Sequence, residues 1–207
     1  MTTIYLIRHG ENDFIGKTHK LAGWLPGVHL NDRGRAQAEA LAQILSSTKI
    51  DALYASPLER TMETALPIAE TKGLEIQKRK ALGEIKYGRW EGQSLKTLTR
   101  RKLWPVIQNT PSLARFPEGE SFVEAQERVV SEMESLRTNH KSPKASFACV
   151  THADVIKLII AHYLGLPLDL FQRIVVMPAS ISILHIDQVP RLVRLNDMQA
   201  TQRENRG

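Results

Sequence analysis

The sequence predicts an α/β fold, a three-layer sandwich with a central, mostly parallel mixed sheet. Three observations carry this. Short apolar runs alternate with longer segments of helical period. Helix-start signals recur between the runs, at Asn31 and at Ser121 with Glu124. The last two runs, ISILHID and RLVRL, follow one another closely and read as an antiparallel pair.

The elements follow in order. TTIYLI reads as a first, buried strand. NDRGRAQAEALAQIL reads as a helix capped by Asn31, with apolar positions at 36, 41, 44 and 45. IDALYAS is a second strand, and PLERTMETA opens another helix, which Pro67 is expected to kink or end early. LEIQKRKAL holds a short strand. Residues 84–120 are rich in Gly, Pro and Trp with weak periodicity. They read as a cap-like excursion with one or two short helices near 94–108. Beyond the capping box, Phe122, Val129, Val130, Met133 and Leu136 form the apolar face of a helix. ASFACV is a buried strand and DVIKLIIAHYL a helix. There is no internal repeat. Residues 1–198 are therefore expected to form a single domain, and 199–207 a flexible polar tail.

Composition narrows the class. Hydrophobic residues make up 42% of the 207 positions and charged residues 24%, an ordinary globular balance. The apolar runs are too short to span a bilayer, and the single cysteine, Cys149, cannot form an internal disulfide. The expectation is a cytoplasmic protein with no membrane partner. The net charge is +6, with Lys and Arg clustered at 78–80, 100–102 and 137–144. Without interleaved aromatics or zinc-finger spacing, these clusters read as a solvated basic surface or as a field for an anionic substrate, and not as a nucleic-acid site.

One stretch imitates a nucleotide-binding loop. GENDFIGKT ends in Gly-Lys-Thr, yet five residues separate Gly10 from Gly16 where a P-loop needs four. The Arg8–His9 pair before it is more telling. Arg8 and His9 follow the first strand, Arg60 lies in the first helical turn after the second, and Thr151–His152 follow ASFACV. In open α/β sheets the ligand crevice lies at the strand C-termini. Two arginines and two histidines therefore converge on one sheet edge, beside the N–H groups of helix starts.

Arginine forks fit phosphate oxygens. A histidine held beside them could attack phosphorus. The leaving oxygen then needs a proton from a carboxylic acid. Glu84, in LGEIKYGRWEG, is the first choice, with Glu91 on the same segment. Its cationic surroundings are expected to lower its pKa, and an arriving phosphate to oppose that. Cys149 lies inside a strand and reads as a small core residue, since Val155 stands where a cysteine phosphatase loop needs arginine. His162 reads as packing, and His140 and His185 carry no motif. His19 and His29 lack metal-ligand spacing, so no metal and no cofactor are expected. Trp24, Trp90 and Trp104 belong either to the cleft wall or to the core.

Taken together, LIRHGEN, GVHLNDRGRAQAEALA, YASPLERTMETA, LGEIKYGRWEG, FPEGESF and VTHADVIK resemble the histidine phosphatase superfamily, the phosphoglycerate mutase-like proteins. The resemblance spans residues 4 to about 157 in the family's order, and the C-terminal part is similar to a bacterial subgroup labelled phosphomutases. It implies a phosphoglycerate mutase-like fold and Mg²⁺-independent chemistry. It also implies that His9 is phosphorylated, that Arg8 and Arg60 hold the phosphate, that Glu84 donates the proton, and that His152 contacts the phosphate. Asn12 and Ala153 are expected to complete the phosphate site. Asn12 stands where the family often has Thr or Ser. Ile15 stands near an expected asparagine, with Thr18 or His19 as substitutes. Ala153 replaces the usual glycine, and Asp154 is the alternative acid.

The reading is a phosphatase for a small phosphorylated metabolite that releases phosphate ion. The alternatives are a phosphomutase and an inert phospho-ligand or protein-binding module. Only 67 residues separate Glu84 from His152, a span in which mutases resembling glycolytic phosphoglycerate mutase carry a longer insertion, and the Asp154 carboxylate would repel a second anionic group. The Arg100–Arg101 pair points the other way, because mutases of this kind use paired arginines. A homodimer is left open.

Overall fold

The computed structural model describes residues 1–140, 142 and 144–199. The tail expectation, apart from residue 199, and Lys141 of the third basic cluster lie outside the described residues.

Six strands form one sheet in the order β3-β2-β4-β1-β5-β6. They are β1 (Thr2–Arg8), β2 (Ala52–Ala55), β3 (Ile76–Lys78), β4 (Ser146–Thr151), β5 (Ile181–Ile186) and β6 (Arg191–Asp197). The β1–β4, β4–β2 and β2–β3 pairs are parallel, whereas β5 runs antiparallel to both β1 and β6. The sheet is thus mixed and mostly parallel, as the sequence predicts.

The helices are α1 (Asp13–Gly16), α2 (Asp32–Leu45), α3 (Glu59–Lys72), α4 (Leu95–Leu98), α5 (Leu103–Asn109), α6 (Phe122–Asn139) and α7 (Ala153–Tyr163). Period-2 alternation divides the core between the two faces of the sheet. Ile7, Leu53, Ala148 and Val150 face α2 and α3. Ile4, Leu6, Phe147 and Cys149 face α6 and α7. Adjacent β1 and β4 therefore send their helices, α2 and α7, to opposite faces. That divergence opens the crevice at their C-terminal ends.

Local signals behave as expected with two corrections. Asn31 caps α2 by accepting from the Gly34 N–H at 2.8 Å, and Ser121 and Glu124 form a reciprocal capping box. Ala36, however, is exposed. The buried stripe of α2 runs through Gly34, Ala38, Leu41 and Leu45. Pro67 does not end α3, which continues to Lys72 and stops at Gly73 with φ 62°. Burial of Ala65, Ile68 and Ala69 against the sheet outweighs the hydrogen bond that proline removes. Within 84–120, α4 and α5 are the two short helices, and the rest is turns and 3₁₀ segments.

Candidate active site

The site grows from the ends of β1, β2 and β4. Arg8 ends β1 opposite Thr151 at the end of β4, so the next residues, His9 and His152, are neighbours. Their rings meet edge to face, with centroids 5.3 Å apart. Glycine makes this approach possible. A Cβ on Gly10 would lie 2.6 Å from the Gly34 carbonyl oxygen, and one on Gly34 would lie 2.0 Å from that of Glu11. Only bare backbone lets α2 sit this close to the loop after β1.

His9 is buried and its tautomer is fixed. Nδ1 donates to the Gly10 carbonyl at 2.7 Å, which leaves the lone pair on Nε2. The Arg60 Nε–H points at that nitrogen from 3.4 Å. Burial first, then Arg60 and Arg8, hold the imidazole pKa well below its usual value. The ring is therefore neutral at physiological pH, with a nucleophilic nitrogen facing the cleft. The backbone is pinned on both sides, by His9 N–H to Thr151 O at 3.0 Å and by Ala179 N–H to His9 O at 3.2 Å.

Arg60 is an unusual residue to find in a core, at 1% exposure. Its Nη2 donates to the Gly23 carbonyl at 2.9 Å and to His152 Nδ1 at 3.3 Å. Arg8 donates through Nη1 to the Val176 carbonyl at 2.6 Å. Buried Arg60 Nη1 and Arg8 Nε have no hydrogen-bond partner among the described residues. Two guanidinium groups with orphaned donors make a cradle for an oxyanion. His152 accepts from Arg60 at Nδ1 and donates from Nε2 to Ser56 Oγ at 2.9 Å. Burial and Arg60 hold its pKa well below normal.

Glu84 closes the cleft opposite. Its Oε2 lies 3.8 Å from His152 Nδ1, and its Oε1 accepts from the Ile85 N–H at 3.0 Å. Here the expectation of a lowered pKa is corrected. Burial pushes the carboxyl up, Asp154 pushes it further, and Arg60 opposes, leaving it at about 7. Desolvation outweighs the arginines. The backbone carbonyl of Glu84 accepts from Trp24 Nε1 at 2.6 Å and from Arg128 Nη2 at 3.4 Å. Arg128 Nη1 also donates to the carbonyls of Ala81 and Gly83, and its guanidinium is anchored by Glu120.

A cleft of about 280 Å³ is lined among others by Arg8, His9, Asn12, Arg60, Glu84 and Ala153, whereas His152, fully buried, stands outside that lining. Asn12 is buried, and its Oδ1 caps α1 through the Ile15 N–H at 3.1 Å. Ala153 opens α7 and lines the cleft, so the helix start, whose first N–H groups have no intrahelical partner, adjoins it. Of the candidates for the missing asparagine, Ile15 and His19 line the cleft. The Thr18 hydroxyl is spent on the Asp13 carbonyl. Asp154 lines the cleft too, but it accepts from Tyr87 Oη at 3.0 Å and from Lys157 Nζ at 2.9 Å.

Other candidates fall away from the cleft. Lys17, of the P-loop imitation, is exposed and pairs with Asp13 at 3.0 Å. Arg100 and Arg101 are exposed and stand outside the residues lining the cleft. Glu91 accepts from the Tyr87 N–H and lies outside the cleft lining as well. Trp90 is a core residue stacked on Trp104. Sequence reasoning missed Ser56, Arg128 and the hydrogen-bonding task of Trp24. Ser56 stands inside the quoted YASPLERT segment and was legible there, whereas Arg128 is one arginine on a helix whose apolar face is elsewhere. Among the described residues no group of three or more His, Cys, Asp and Glu is placed to hold a metal.

Comparison with known proteins places this geometry in context. The chain is 31% identical over 195 residues, covering 91% of itself and 88% of the relative, to phosphoserine phosphatase 1 of Hydrogenobacter thermophilus. It is 30% identical over 185 residues, 88% of itself and 84% of the relative, to a Photorhabdus laumondii protein named as a probable phosphoglycerate mutase, GpmB. Among solved structures, YhfR of Bacillus stearothermophilus superposes with a TM-score of 0.87 at 26% identity, covering 95% of this chain and 98% of that one. The phosphoserine phosphatase of Entamoeba histolytica, solved with 3-phosphoglyceric acid, gives 0.86 at 25% identity, covering 97% and 99%. The family model for the histidine phosphatase superfamily, branch 1, matches residues 4–198, and the chain belongs to that superfamily.

Proposed function

We propose that this protein is a phosphomonoester hydrolase that works through a phosphohistidine on His9 and needs no metal or cofactor. The observation that carries this reading is the His9 ring, locked by Gly10 with its Nε2 lone pair turned toward Arg60.

Arg8 and Arg60 receive the phosphoryl oxygens on their unpaired donors, aided by Asn12 and the N–H of Ala153. His9 Nε2 attacks phosphorus, and the N–P bond forms as the ester P–O bond breaks. Glu84 gives its proton to the departing alkoxide, a task suited to a carboxyl with a pKa of about 7. The alcohol leaves. Water then attacks the phosphohistidine and its proton goes to the Glu84 carboxylate. The N–P bond breaks and phosphate ion departs. His152 backs His9 edge-on and holds Arg60 in place.

Residues 1–198 act in this reading as one catalytic domain, with 84–120 as its cap. The substrate is a small phosphorylated metabolite. The buried, unpaired Cys149 and the absence, among the described residues, of any helix long and apolar enough to cross a membrane support a cytoplasmic setting. A panel of phosphorylated metabolites with added chelator tests the reading. Free phosphate should be the main product even with an acceptor hydroxyl in excess. Dominant transfer to the acceptor would make the protein a mutase, and no turnover would make it a binding module.

A further inference from the structure

A second cleft, of about 290 Å³, adjoins the phosphate site. Leu21, Tyr87, Leu95 and Asp154 line both, so the two spaces share a wall. Aromatic rings form much of the second space: Trp90, Trp104, Phe116 and Phe122. They are locked in place by one another. Trp90 stacks on Trp104 at 6.3 Å, and Phe116 meets Trp90 at 5.5 Å, Phe122 at 5.3 Å and Tyr87 at 4.9 Å, all edge-on. Gln108, Lys157 and Gln172 supply polar groups to the lining.

The charges here are already satisfied. Lys157 Nζ donates to Asp154 Oδ1 at 2.9 Å and to Gln172 Oε1 at 3.2 Å. The Tyr87 hydroxyl occupies Asp154 Oδ2. Within this lining a carboxylate or ammonium on the alcohol finds its charged partners, Lys157 and Asp154, already paired with each other. An apolar alcohol needs no such partner, because Leu21, Leu95 and Trp104, which are not fully buried, offer it contact without displacing a hydrogen bond, over a layer of buried rings.

We propose that this chamber receives the alcohol part of the substrate, and that the substrate is a phosphomonoester of an alcohol carrying an aromatic ring or a branched apolar body. The inference rests on the phosphatase reading and narrows it to one substrate class. Most of the chamber comes from residues 87–116, so the cap sets specificity while the strand ends set chemistry.

The test must separate apolar contact from leaving-group reactivity. Ethyl phosphate, butyl phosphate and 2-phenylethyl phosphate all release unactivated primary alcohols, so kcat/KM along this series reads the chamber. O-phosphoserine supplies the charged competitor, and p-nitrophenyl phosphate, whose leaving group needs little protonation, reports whether phosphoryl transfer to His9 runs at all. In the wild-type protein kcat/KM should rise along the series, with 2-phenylethyl phosphate ahead of ethyl phosphate by about tenfold or more. It should exceed O-phosphoserine by a similar factor. Gln108→Trp places bulk at an exposed position of the lining and should collapse the 2-phenylethyl to ethyl ratio toward one. A flat series with p-nitrophenyl phosphate hydrolysed overturns the chamber and leaves the phosphatase reading standing. So does a preference for O-phosphoserine, above all one lost in Lys157→Ala. Failure to hydrolyse any ester, with no phosphate on His9, overturns both.

Discussion

The strand-end floor and the 84–120 cap are built on opposite principles. The floor is charged and nearly dry. His9, Arg60 and His152 are at most 3% exposed, and Arg60 meets the two histidines through polar contacts of 3.4 and 3.3 Å. The cap is irregular, charged on its outside and packed inside with aromatic rings. It is made of short helices, 3₁₀ turns and interlocked rings. Glu84 stands at the seam, clamped to the body by Trp24 and Arg128 through its backbone, with its carboxyl free to titrate. The difference teaches where variation is tolerated. A floor residue cannot change without leaving a buried charge or lone pair unpaired. A phenyl ring of the cap such as Phe116 can change at the cost of packing alone.

The largest effects should therefore come from the floor. His9→Ala removes the nucleophile and should lower kcat by on the order of 10⁴-fold or more in steady-state assays. Arg60→Ala removes a buried cation that faces both histidines, and should cost about 10²–10³-fold in kcat with an intact far-UV spectrum. A floor that tolerated Arg60→Ala would break the comparison at once.

The seam comes next. Glu84→Gln should slow hydrolysis of alkyl phosphates by about 10²-fold or more and of p-nitrophenyl phosphate far less, since nitrophenolate leaves without a proton. The pH profile sharpens this. Glu84 acts while protonated and its pKa is raised to about 7. Alkyl-phosphate kcat/KM should accordingly fall as pH rises through that value. Asp154 is one cause of the raised pKa, so Asp154→Asn should move the falling limb to lower pH. An unmoved limb would mean that another group controls it.

A smaller, thermodynamic effect follows from the same shift. A carboxyl whose folded pKa lies above its unfolded value of 4.5 binds more protons folded than unfolded. Its contribution to stability is present below the unfolded pKa and is lost as pH rises to about 7. Glu84→Gln should then raise Tm at pH 8 by roughly 5 °C, and by much less at pH 4, in paired calorimetric scans. Equal gains at both pH values would locate the effect in packing.

Legibility in the sequence divides along the same line. The floor was readable because each of its residues follows an apolar strand, and Arg8, His9, Arg60 and His152 could be placed at one edge before any coordinate. The caps at Asn31 and Ser121 were readable for a local reason, a side chain reaching a backbone N–H three residues on. The two short helices of the cap were readable near 94–108, but its ring packing was not, because the rings meet through contacts between residues such as Tyr87 and Phe116 that no period connects. The Glu84 pKa also escaped. Counting neighbouring charges gives the wrong sign when burial is the largest cause. Pro67 shows the reverse error, a local rule overridden by the buried face of α3.

The most direct test of the central claim is rapid-quench mass spectrometry on the wild-type protein after mixing with a phosphomonoester, under conditions that preserve N–P bonds. The account predicts an added phosphoryl group on His9 within the first turnover, absent in His9→Ala and longer-lived in Glu84→Gln. Phosphate on a serine, on Cys149 or on His152, with His9 unmodified, would contradict it.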